Sequence, residues 1–174
     1  MKKRIWISMT CLLALCLLLA GCSKAPAQPD TAEAFLRECF TLNKDGRFDT
    51  MDQSVQAAAA QLAASDTGSV QSLPPEINQS YYQGMSALAT TACLDSMAAN
   101  RLPSQLDRMV SEAGLTAQID TLQLTPSGNN AYTFEITYDS DAVNTLLNAP
   151  ITGQVTVQEE NGSVLVNSLR IDAK

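Results

Sequence analysis

Tyr132-Thr133-Phe134-Glu135-Ile136-Thr137-Tyr138 decides the fold class. A period of two puts Tyr132, Phe134, Ile136 and Tyr138 on one face of a strand, and Thr133, Glu135 and Thr137 on the other. One apolar face and one wet face mark an antiparallel sheet covered on a single side. The same period continues both ways. Upstream, Ser127-Gly128-Asn129-Asn130 reads as a hairpin turn and Thr116–Leu124 as the strand before it. The alternation slips near Asp120-Thr121, as a β-bulge would make it do. Downstream, Asp141–Asn148 is a helical or looped excursion ending at Pro150. Ile151, Val155 and Val157 then alternate with Thr152, Gln154 and Thr156. Asn161-Gly162 is a two-residue hairpin signal. Ser163–Asp172 closes the meander, with Leu165, Leu169 and Ile171 predicted inward.

Before Gly114 the period is helical. Asp30 is placed to cap a first helix, with Glu33 three residues on as in a capping box. Ala32, Phe35, Leu36, Cys39 and Phe40 then form one apolar stripe, and Asn43-Lys44-Asp45-Gly46 ends the helix. A second helix is predicted from Asp52 to about Ala64, with Val55, Ala58, Ala59 and Leu62 inward. Ser65–Ser69 ends it, and Pro74-Pro75 forces an extended connection. A third helix is predicted over roughly Asn78–Asn100. Its stripe is Tyr81, Met85, Leu88 and Ala92, with Ala89, Cys93 and Met97 beside it. A short fourth follows Pro103-Ser104, with Leu106, Met109, Val110 and Ala113 inward and Gly114 as its C-terminal cap. Helices first and then about four antiparallel strands predict an α+β fold, the N-terminal helices packed on one face of the C-terminal sheet.

The chain opens with Met1-Lys2-Lys3-Arg4, an apolar run from Ile5 to Ala20, and Leu18-Leu19-Ala20-Gly21-Cys22. A basic start, a short apolar span and a small-residue cleavage site make a secretory signal. The span is about 16 residues, short of the ~18–20 that cross a bilayer. The Leu-Ala-Gly-Cys ending resembles the lipobox of bacterial lipoproteins. That resemblance implies cleavage after Gly21 and a lipid on the Cys22 sulfur. The expected organisation is a signal peptide over 1–21, a tether over 22–29 and one α+β domain over 30–174. The expected location is the extracytoplasmic face of the cell membrane, held there through the N-terminal lipid.

Losing Lys2, Lys3 and Arg4 leaves 8 basic residues against 18 acidic ones, a net charge of −10. A surface this acidic repels phosphate backbones, so nucleic acid is not an expected partner. Histidine is absent from the whole chain. This excludes serine–histidine and cysteine–histidine catalysis and histidine zinc sites. With Cys11 and Cys16 in the signal and Cys22 committed to lipid, Cys39 and Cys93 remain. They are either a disulfide pair in an exported domain or two buried thiols.

Thr41–Asp52 has the outline of a calcium loop. Gly46 stands at its sixth position, and Asn43, Asp45, Asp49 and Asp52 carry oxygen side chains. The usual first aspartate is Thr41, however, and the last ligand is Asp52 rather than glutamate. The plainer reading is a helix end, a turn and a cap. Asp95, Asp107 and Glu135 could supply paired carboxylates but show no spacing that forces two into one site, so they are read as solvated acids, and Glu159-Glu160 is a solvated hairpin end. Tyr81, Tyr82, Tyr132 and Tyr138 either line a pocket or fill a core. Gly84-Met85-Ser86-Ala87-Leu88 lacks the second glycine of a nucleophile elbow. No phosphate-binding glycine loop and no cofactor motif is present, so no catalytic, cofactor-binding or metal-ligating residue is assigned.

The helix order, the Gly46–Asp49 turn after the Phe35-Leu36 helix and the closing Asn161-Gly162 hairpin resemble the ketosteroid isomerase and nuclear transport factor superfamily, the cystatin-like α+β rolls. The resemblance implies a cone-shaped fold and supplies no function, since both enzymes and binding proteins use it. The expected function is a non-catalytic binding domain of the cell envelope, with a protein, glycan or small molecule as ligand. The alternatives are a small-cavity isomerase or hydrolase using carboxylate or tyrosine chemistry, and an accessory subunit of a membrane complex.

Overall fold

A computed structural model describes residues 29–64 and 80–172. The signal, Cys22, the tether up to residue 28, the Ser65–Ser69 helix end, Pro74-Pro75 and the Asn78 helix start lie outside the described residues. Among the described residues no helix is long and apolar enough to cross a membrane.

The fold is α+β. Among the described residues, helices α1 (Pro29–Phe40), α2 (Arg47–Ala64), α3 (Thr91–Ala99) and α4 (Ser104–Glu112) precede the sheet. Strands β1 (Ile119–Gly128), β2 (Ala131–Tyr138), β3 (Ile151–Glu160) and β4 (Ser163–Ile171) pair antiparallel in sequence order. A short helix α5 (Asp141–Leu147) joins β2 to β3, with the Ser140 hydroxyl accepting from Val143 N. The stripe on α1 is fully buried at all five positions and packs against β1, β3 and β4. It meets Tyr132, Phe134, Ile136 and Tyr138 from β2, with the Phe40 and Phe134 rings 5.6 Å apart. Burial of each such large side chain contributes about 1.5–3 kcal/mol. Asp30 lies inside the first turn of α1, where its charge suits the positive end of the helix dipole, rather than before it.

The helical half differs from expectation in three places. Helix α2 begins at Arg47, five residues before Asp52, because the left-handed turn Asn43, Asp45, Gly46 (φ +49°, +52°, +66°) delivers the chain directly into it. Its predicted inward face is shallow: Val55 and Ala58 are half-buried, Ala59 is exposed, and the Leu62 side chain lies outside the description.

The single helix predicted over Asn78–Asn100 is broken. A 3-10 turn at Gln83–Met85 leads through a further turn to Ala89, which bridges Val166 of β4 in parallel, and to an extended Thr90. Thr90 N donates to Val166 O (2.9 Å) and Val166 N donates to Leu88 O (2.8 Å). Thr90 then caps α3, its hydroxyl accepting from Cys93 N at 3.2 Å. Tyr81, Met85, Ala89, Cys93 and Met97, four apart, are all buried, so the spacing imitates one continuous helix. Ala92, predicted inward, is exposed.

Helix α4 is rotated from its predicted orientation. Met109 and Ala113 face out, while Asp107 and Val110 face in. Gly114 (φ +69°) ends it as expected, with Leu115 N donating to Val110 O.

The sheet follows its pattern closely. The expected bulge lies between Ile119 and Thr121. Asn161 and Gly162 both have positive φ, as a tight hairpin requires. In β4 a register shift opposite Thr156/Val157 leaves Asn167 unpaired, so the parity changes. Val166 becomes the buried residue, Leu169 and Ile171 pack at the core margin, and Leu165 pairs with Gln158 instead of facing the core.

Candidate functional site

Asp107, 0% exposed, accepts hydrogen bonds through both of its carboxylate oxygens. Its Oδ2 accepts from Arg47 Nε at 2.6 Å and from the Tyr81 hydroxyl at 2.5 Å. Its Oδ1 accepts from Asn43 N at 2.8 Å and from Arg47 Nη2 at 3.3 Å. Arg47 also donates to the carbonyls of Glu38 (2.8 Å) and Cys39 (2.6 Å), and its guanidinium lies 5.2 Å from the Tyr81 ring centroid. Burial pulls the Arg47 guanidinium down. The Asp107 hydrogen bond and the charges of Tyr81 and Asp107 more than offset this, so its pKa rises above the ordinary arginine value. Burial, then the Asp107 charge, pushes the Tyr81 phenol well above the ordinary tyrosine range.

An acid, an arginine and a tyrosine in contact are groups that catalysis uses. Here both carboxylate oxygens are occupied and the side chain has no exposed surface. The cluster joins α1, the Asn43–Gly46 turn, α2 and α4. Asp107, read from sequence as a solvated acid, is therefore corrected to a buried ion-pair partner. The other buried tyrosines fill core as well: Tyr82 donates to Leu102 O (2.7 Å) and Tyr138 to Phe40 O (3.0 Å).

The calcium-loop outline does not fold as a loop. Asp49 and Asp52 lie within α2, where Asp49 accepts from Ser111 Oγ (2.5 Å) and Asp52 from Gln56 Nε2 (2.6 Å). Asn43 Oδ1 is buried with no hydrogen-bond partner. Among the described residues no group of three acidic or thiol side chains converges as metal ligands. Cys39 and Cys93 are both buried and both free thiols. Of the two expectations for them, the structure has the buried-thiol arrangement. Cys93 Sγ lies 4.0 Å from Met97 Sδ.

The outer face of the sheet carries a shallow open groove of about 240 Å³, lined by Gln123, Thr125, Thr133, Glu135, Thr152 and Asp172 together with the strands beneath. Register builds it. Gln123, Glu135 and Thr152 stand in one cross-strand row, and Thr125, Thr133, Gln154 and Arg170 in the next. Bordering groups hold each other: Thr121 with Thr137 (2.6 Å), Thr156 with Ser168 (2.7 Å), Gln154 with Ser127 (3.2 Å). Asp172 pairs with Arg170 at 3.3 Å. The side chain of Glu135, exposed at mid-strand, has no hydrogen bond or ion pair among the described residues. Sequence reading treated it as one solvated acid among many. Asp95 is exposed, and Glu159-Glu160 sits at the exposed hairpin end. The sequence signal for the groove was the run of threonine and glutamine at alternate positions. Only the register shows which of them stand side by side.

No protein-family model, curated protein or solved structure matches this chain.

Proposed function

We propose that this chain is a lipid-anchored extracytoplasmic domain that recognises a ligand on its surface without transforming it. The carrying observation is that Asp107, the acid of the one acid–arginine–tyrosine cluster described, is fully buried with both carboxylate oxygens hydrogen-bonded. Tyrosines that would line a catalytic cone cavity instead fill core. The Leu-Ala-Gly-Cys22 ending supports the anchor, and the order of helices before a four-strand meander supports kinship with the cone-shaped rolls. The large hydrophobics exposed among the described residues are Met109 on α4 and Leu146 on α5. That lends no support to a broad apolar face of the kind an accessory subunit needs.

Two measurements test the proposal. Mass spectrometry of the protein from bacterial membranes should show a lipidated N-terminal Cys22, and Cys22→Ala should release the chain from the membrane. Turnover of any substrate by the purified protein, abolished by a substitution in the groove, would overturn the non-catalytic reading.

A further inference from the structure

We propose that the groove on the outer sheet face binds its ligand through one positively charged nitrogen, an ammonium or guanidinium, set against the Glu135 carboxylate. The proposal rests on the surface-recognition reading above. Several other acids of the described chain have an answering group: Glu33 has Arg37, Glu38 has Lys44, Asp107 has Arg47, Glu112 has Arg108 and Asp172 has Arg170. Glu135 has none, as Asp45, Asp95 and Asp120 have none, but unlike these it lines the groove, on a central strand with cross-strand neighbours on both sides. Those neighbours are the uncharged Gln123 and Thr152, where a cation would ordinarily stabilise it.

The rest of the lining narrows the chemistry. The side chains of Gln123 and Thr152 also have no partner among the described residues, so they stand ready to hydrogen-bond a ligand beside the charge. Glu135 and a net charge of −7 disfavour an anion. The aromatic side chains of β2 all face the core, which leaves no platform on this face for stacking a sugar ring. At about 240 Å³ the groove falls below the ~300–1,000 Å³ of clefts that enclose a drug-sized molecule. It fits a small amine or the tip of a longer group. The same chemistry has two sources, a free amine or a lysine or arginine side chain of a protein.

The test is an NMR titration of the full chain in detergent micelles, reading the threonine methyl signals. The probes are N-acetyl-lysine amide, 1,4-diaminobutane and, as uncharged control, N-acetyl-norleucine amide. The Thr125, Thr133 and Thr152 methyls should move with the charged probes and not with the control, and added salt should weaken the effect. Glu135→Gln should weaken binding about two- to five-fold, the range of an exposed ion pair. Asp172→Asn, whose carboxylate is already paired, should change it less. Tighter binding of the lysine amide assigns a protein side chain as the source; tighter binding of the diamine assigns a free amine. Equal shifts from the uncharged control, no shift from either cation, or an affinity unchanged by Glu135→Gln would each overturn the proposal. The non-catalytic reading fails separately, on the turnover assay.

Discussion

Arg47 and Asp107 are 60 positions apart in sequence, yet Arg47 Nε lies 2.6 Å from Asp107 Oδ2, with the two side chains 12% and 0% exposed. Their contact ties the turn after α1 and the start of α2 to α4. A buried pair of this kind is stable only as a pair, because either charge alone keeps its desolvation penalty.

Asp107→Ala should therefore destabilise the protein by about 3–5 kcal/mol, read as a lowered urea midpoint. It strands Arg47 and removes the acceptor for Tyr81 and Asn43 N. The double change Arg47→Met with Asp107→Leu should recover much of that loss. A double variant no more stable than Asp107→Ala would show that the hydrogen bonds to Tyr81 and Asn43, rather than the unpaired charge, carry the effect.

Alkaline pH should unfold the protein earlier than its acidic surface suggests. Burial pushes the Cys93 thiol from 9.0 up to about 11, and it pushes Cys39, Tyr81, Tyr82 and Tyr138 up as well. A raised folded pKa contributes stability that is fully present below the unfolded pKa and is lost as pH rises through the folded one. For Cys93 that window runs from about pH 9 to about pH 11. Urea midpoints should hold up to the lower bound and fall across the window. An unchanged midpoint at its upper end would contradict the burial of these groups.

Neither Cys39 nor Cys93 should react with iodoacetamide in the native protein, since they are 0% and 2% exposed. Unfolding without reductant should make both available. If they label only after reduction, the protein carries the disulfide.

Gly153→Ala should destabilise by about 1–3 kcal/mol, the cost of overpacking a filled core. Gly153 faces Phe134 across the β2–β3 pair. An added Cβ would press on the Phe134 ring edge, with Cζ at 2.7 Å, and on the Arg170 carbonyl oxygen. Adding Phe134→Leu, which shortens the opposing side chain, should make the Gly153 change milder than it is alone.

The four strands, their hairpins and the bulge near Asp120 were legible in the sequence because strand periodicity is local: each side chain's face follows from its neighbour's. The α1 stripe was legible for the same reason. Helix placement beyond α1 was less so. Tyr81, Met85, Ala89, Cys93 and Met97 keep a spacing of four straight through a break that exists only because Leu88–Thr90 pairs with β4, some 75 residues downstream.

The sequence by itself determined the α+β class, the inner and outer faces of β2 and β3 and the absence of histidine chemistry. Tertiary structure alone decided what the charged residues do. Asp107 and Glu135 are both acids within amphipathic elements. One is fully buried because Arg47, Tyr81 and Asn43 converge on it from other elements. The other stays exposed because register places Gln123 and Thr152 beside it. The environment of a charge depends on long-range neighbours, and these are set by packing and strand register rather than by local pattern.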